Sequence, residues 1–269
     1  MTYPNHPPIP PTTGPPTTPP VWTPPVAAPE PTPRPVIRWG MGDVLIGLGL
    51  WVLGAVCVAI VLIATGDVTE TSGEDLGLGA LALSLVAGWP GFVGWPIVAT
   101  MWKGQRSLRL DFGLEVRPID LAWGLLGGVV ALAVSIAGAV VWSLVSNTPT
   151  PTNTDILPSR PGLGTAIVLV ILVAICTPIV EALFFRGLFL RAVGRRWNLT
   201  VGVIVTSLVF GLLHAQGGTW AEAGFFVLVT ASYGAVFALL VVRAGGRLGP
   251  SIIAHMCVNI VGVLGTFLL

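Results

Sequence analysis

From residue 37 onward the chain is a series of long apolar runs separated by short polar breaks. Seven runs stand out: Val44–Ala64, Leu76–Trp102, Ile119–Val145, Gly164–Leu190, Leu199–His214, Ala221–Val242 and Ser251–Leu269. A hydrocarbon core about 30 Å thick takes roughly 20 apolar residues to cross as helix. The pattern therefore predicts an all-α, polytopic membrane bundle of about seven transmembrane helices, the fifth and seventh of them short. Pro90 and Pro96 predict a kink in the second. Gly124 and Gly128 form a GxxxG on the third, which predicts a close helix contact.

Composition agrees with a lipid solvent. Of 269 residues, 54% are hydrophobic and 9% charged, against about 25% charged in a soluble domain. A net charge of +1 gives nucleic acid nothing to bind. The placement of charge is more telling. Arg34 and Arg38 precede the first run, and Asp67, Glu70, Glu74 and Asp75 follow it. Lys103, Arg106, Arg109 and Arg117 come next, and then a segment with Arg160 alone. Arg191, Arg195 and Arg196 follow, then a turn, 215–220, with no Lys or Arg, then Arg243 and Arg247. Basic and non-basic loops alternate, so the positive-inside rule predicts a cytosolic N-terminus and an outer C-terminus. Trp39, Trp102, Trp197 and Trp220 fall where an interfacial aromatic belt is expected. The Ala/Val/Gly-rich composition fits a bacterial plasma membrane.

Residues 1–36 hold most of the 24 prolines and few large aliphatic side chains. They are expected to be a disordered cytosolic tail of polyproline II character, a spacer or a ligand for a Pro-binding partner. Residues 37–269 are expected to form the transmembrane domain. Lys103–Pro118 is expected to include an interfacial piece. Cys57, Cys176 and Cys257 have neither disulfide nor zinc-knuckle spacing and are expected to be small buried hydrophobes.

Four polar residues are out of place in these runs. An ionisable group at mid-bilayer costs at least roughly 2.5–3.5 kcal/mol and marks a functional site by default. Glu181 lies in the fourth run, His214 ends the fifth, and His255 and Asn259 lie four residues apart in the seventh, on one helix face. Runs four and five form a hairpin turning near residue 196. Glu181 and His214 sit at similar distances from that turn, hence at similar depth. His255 follows the last basic loop by only a few residues. It meets Glu181 either if helix four projects past the lipid with Arg191, Arg195 and Arg196, which is preferred, or if the last run starts from a re-entrant segment.

These residues resemble the CPBP family, intramembrane proteases that include CAAX prenyl endopeptidases and bacteriocin-processing or immunity proteins. The family pattern EExxxR, FxxxH, HxxxN/D reads here as Glu181-Ala-Leu-Phe-Phe-Arg186, Phe210 to His214, and His255 to Asn259. The resemblance covers about Ile119 to the C-terminus, a protease-like core of 119–269. It implies hydrolysis of a peptide bond in a membrane-associated protein or peptide by an activated water. Glu181, once desolvated, suits a general base near neutral pH. His214 shares the water and passes the proton on, while His255 and Asn259 donate to the oxyanion. Arg186 is expected to be structural or a substrate contact. Ala182 replaces the family's second glutamate, so Arg186 must find another partner or snorkel toward the cytosol.

Other readings remain open. Glu181, His214 and His255 are also the ligand types of a zinc site with an open position for water, although no HExxH is present. A catalytically inactive relative could serve as a scaffold or immunity factor. A proton-coupled transporter is disfavoured, because broken helices do not recur in matching halves.

Overall fold

The computed structural model describes residue 14 and residues 36–66, 78–151, 162–215 and 219–265. The Pro-rich tail, the acidic segment after the first run and Arg160 lie outside the described residues.

The described chain is all-helical. We number α1 (Met41–Thr65), α2 (Leu78–Lys103), α3 (Leu108–Phe112), α4 (Pro118–Val145), α5 (Leu163–Arg196), α6 (Leu199–Leu212), α7 (Trp220–Arg243) and α8 (Gly249–Gly265). Five of them (α1, α2, α4, α5, α7) are long and apolar enough to cross a membrane. Helices α6 and α8 have 14 and 17 residues, about 21 and 26 Å at 1.5 Å per residue, short of a 30 Å core. Each helix except α3 corresponds to one apolar run. The short α3 is the structured piece expected within Lys103–Pro118. It is opened by Ser107, whose hydroxyl accepts from the Leu110 N–H, and closed by left-handed Gly113.

Proline and glycine set the bundle's shape. Pro90 opens a π-helical turn, Pro90–Gly94, within α2, at one of the two prolines for which a kink was expected. Small residues on α4 let α8 approach. A Cβ on Gly124 would meet Ile253, one on Gly127 would meet Leu240, and one on Gly128 would meet Cys257. The glycine motif thus seats α8, the helix bearing His255 and Asn259, against α4.

One end of the bundle is tied by polar contacts. The Leu248 and Gly249 N–H groups donate to the carbonyls of Gly113 and Glu115. Arg247 binds the Asp120 carboxylate with two nitrogens, the shorter contact being 2.7 Å. Asp43 pairs with Lys103 at 2.8 Å. Arg117, donating to Glu115, holds that half-buried carboxyl below its usual range. These ties fix the start of α8 relative to α4.

Two expectations need correction. Trp39 is not at an interface: it is 3% exposed, packs on Phe112 and donates to Asp111. Trp102, Trp197 and Trp220 are exposed. No cysteine is fully buried: Cys57 points outward, and Cys176 and Cys257 are half-buried. All three thiols are free, and Cys57 faces outward because α1 is largely exposed along its length.

Candidate active site

Helix α5 carries the first site residue on an irregular backbone. Residues Val170–Cys176 and Ala182–Phe189 are π-helical, with a short α-turn, Thr177–Glu181, between them. In a π-helix each N–H reaches the carbonyl five residues back, and Thr177 does so to Leu172. The next residue is Pro178, which has no N–H, so Val173 loses the backbone donor it would have had. The Asn259 side chain fills the gap, its Nδ2 donating to the Val173 oxygen at 2.8 Å. Helix α5 runs unbroken to Arg196, 34 residues in all. That is about 50 Å at the α-helical rise, well beyond a bilayer core. A helix of this length is long enough to project past the lipid, as the expected projecting arrangement requires.

Three of the expected residues converge. Glu181 Oε1 lies 4.0 Å from His214 Nε2, and Oε2 lies 3.9 Å from His255 Nε2. Both separations are too long for a direct hydrogen bond. Glu181 Oε2 is buried and has no hydrogen-bond partner. His214 lies just past the end of α6, which stops at Leu212. Its Nδ1 is 2.7 Å from the Phe210 carbonyl. A carbonyl can only accept, so Nδ1 carries the hydrogen, and in the neutral ring Nε2 offers a lone pair to a carboxylate that also offers one. Two acceptors facing each other at this distance call for a donor between them. His255 is buried, stacked on Phe237 at 4.9 Å and edge-on to Phe210 at 6.0 Å.

Asn259 lines the same cavity, about 340 Å³, together with Glu181, His214 and His255. Its bond to Val173 commits one amide hydrogen to holding α5, a structural duty that sequence reasoning did not assign. The cavity wall also includes Thr177, Ser135, Thr230 and Tyr233. Single hydroxyls in apolar runs carry no signal strong enough to select them; the three-residue spacing of Thr230 and Tyr233 is the only hint.

Arg186 neither snorkels nor pairs with a carboxylate among the described residues. It is 2% exposed, with its guanidinium 4.3 Å from the centre of Phe210 and 5.2 and 5.6 Å from Phe237 and Phe185. The expected i, i+4 relation between positions 182 and 186 assumed α-helix. Here that spacing falls in the π-helical stretch, and the carboxylate within Coulombic reach of Arg186 is Glu181, from the α-turn just before it.

The zinc alternative does not fit. Among the described residues no group of three His, Cys, Asp or Glu side chains could hold a metal ion. Bonds of about 2.0–2.1 Å in a tetrahedron put ligand atoms about 3.4 Å apart, closer than either Glu181–imidazole separation here.

An apolar helical bundle enclosing an acid, two imidazoles and an amide defines an integral membrane protein with a buried polar site. Residues 163–261 match the family model described as Rce1-like, type II CAAX prenyl endopeptidase. The matched stretch runs from α5 into α8 and leaves out α4, and it supports a likeness to the CPBP-type intramembrane proteases. No curated protein and no solved structure gives a significant match.

Proposed function

We propose that this protein is an intramembrane endopeptidase in which Glu181 and His214 activate a water to cleave a membrane-associated protein or peptide. The observation that carries the reading is the gap between Glu181 Oε1 and His214 Nε2, 4.0 Å across, flanked by acceptors on both sides. A water donating to both atoms fills it and has its own oxygen lone pairs free to attack a carbonyl carbon. Glu181 takes a proton from the water as its oxygen attacks, and that proton passes through His214 Nε2 to the leaving amine, so Glu181 is again a carboxylate when the C–N bond breaks. His255, donating from Nε2, stabilises the oxyanion. Asn259 contributes its uncommitted amide hydrogen and holds α5 in register. Arg186 holds positive charge beside Glu181, keeping the carboxylate available as a base.

The basic loops lie on the cytosolic side in this reading, with the N-terminus inside and the C-terminus outside. The irregular backbone of α5 supports it, because π-helical turns occur often at functional sites. So does the family match, which covers Glu181, His214, His255 and Asn259. Ala182 favours a second reading, an inactive relative acting as a scaffold or immunity factor.

Substrate trapping separates the two. Membranes carrying Glu181→Ala are expected to accumulate uncut proteins that are processed in wild-type membranes. An unchanged peptide profile in both Glu181→Ala and His214→Ala sinks the peptidase reading.

A further inference from the structure

We propose that a groove at the basic end of the bundle binds a phosphoryl group, and that its ligand is an acidic phospholipid. The groove, about 450 Å³, is lined by Arg186, Arg191 and Arg195 of α5 and by Trp39 and Gly246. None of these three cations forms an ion pair with a carboxylate among the described residues, although Glu181 lies within Coulombic reach of Arg186, and Asp111 of Arg191 and Arg195. Arg191 Nη2 donates to the Gly246 carbonyl at 2.6 Å, while its Nε is buried with no partner. Arg195 Nη2 donates to the Trp39 carbonyl at 2.6 Å, and its guanidinium stacks 3.6 Å above the Trp39 ring. Arg186 forms part of the wall, and its Nη1 is buried and unpartnered.

The contrast with neighbouring cations is informative. Lys103, Arg117 and Arg247 pair with Asp43, Glu115 and Asp120 at 2.7–2.8 Å. Among the described lining residues the groove has one carboxylate, Asp111, and its oxygens are occupied. Trp39 Nε1 donates to one at 3.0 Å, and the Gln105 N–H donates to the other at 2.7 Å together with the Thr100 hydroxyl. Charge fixed by backbone carbonyls and an aromatic face is preorganised for an anion from outside the chain. The rest of the wall is apolar, including Leu110 and Leu199, which are 60% and 48% exposed. Guanidiniums beside an exposed aliphatic wall suit an amphiphile, with its phosphoryl oxygens on the arginines and an acyl chain along the leucines.

The test uses the purified full-length protein in neutral detergent, titrated with phosphatidylglycerol or phosphatidylcholine and read by native mass spectrometry. Phosphatidylglycerol is expected to bind at least tenfold more tightly. The pair Arg191→Gln with Arg195→Gln is expected to lower that affinity about tenfold or more, the loss of charge-assisted hydrogen bonds. Arg196→Gln, an exposed cation off the groove, is expected to leave it unchanged. Inorganic phosphate competing at equal affinity assigns the same site to a free phosphate. Equal binding of the two lipids, or wild-type affinity in the Gln pair, overturns the site. Should the Gln pair not fold, Arg191→Lys with Arg195→Lys is read instead: reduced affinity supports the site, and wild-type affinity overturns it.

Discussion

Glu181 and Arg186, five positions apart on α5, lie within Coulombic reach of each other without forming an ion pair. Arg186 is buried, lacks a carboxylate partner and leaves Nη1 unsatisfied. A desolvated cation of this kind is costly, and stacking on aromatic rings offsets part of that cost, about 2 kcal/mol or somewhat more. Arg186→Met keeps the volume and removes the charge, so the detergent-solubilised protein is expected to melt at the same or a higher temperature. Arg186→Ala leaves a cavity among Phe185, Phe210 and Phe237 and is expected to lose about 2–4 kcal/mol. If both variants lose stability equally, the charge itself holds the fold. The residues that converge on the cavity were legible in the sequence because an acid or an imidazole in a long apolar run has few reasons to be there. Arg186's aromatic surroundings were not, since they depend on a change of helical period that side-chain pattern does not encode.

The backbone hydrogen bond missing at Pro178 of α5 is replaced by one from Asn259 of α8. This pairing gives a prediction that a general packing role does not. Asn259→Leu leaves the half-buried Val173 carbonyl without a donor and is expected to cost about 1–3 kcal/mol in thermal or denaturant unfolding. Pro178→Ala restores a backbone N–H at the position that can serve Val173. In that background Asn259→Leu is expected to cost about 1 kcal/mol less, a coupling measurable by a double-mutant cycle. Additive effects would mean that the two residues do not share this carbonyl. The glycines of α4 act on the same helix from its other side. Gly128→Leu forces a side chain into Cys257 and is expected to lower stability by about 1–3 kcal/mol and to abolish cleavage by displacing His255. The GxxxG pattern announced a close contact, but its partner could not be read locally. Glycine recurs throughout the chain, and only the fold selects α8.

At the scale of the whole molecule, the run pattern located every long helix to within a few residues, because lipid leaves little choice between helix and anything else. It overstated α6, which stops at Leu212 and leaves His214 in a turn. It also put Trp39 at a surface, although that residue is drawn inward by Asp111, Phe112 and Arg195. Apolar content reports that a segment prefers lipid or protein to water; it does not separate those two. The alternation of basic loops predicts that cysteines introduced at Arg106 and Arg196 react with a membrane-impermeant thiol reagent only from the cytosolic side. One introduced at Asn147 is expected to react only from outside. Labelling of all three from one face contradicts the orientation.

The account stands or falls on a water held between Glu181 and His214. The most direct measurement is single-turnover cleavage of a membrane-peptide library by the purified protein in ¹⁸O-labelled water, with the new carboxyl termini read by mass spectrometry. Wild type is expected to place label in each new terminus. Glu181→Gln, matching wild type in melting temperature, is expected to be at least about 100-fold slower, as loss of a general base implies. Cleavage by Glu181→Gln at the wild-type rate would contradict the account.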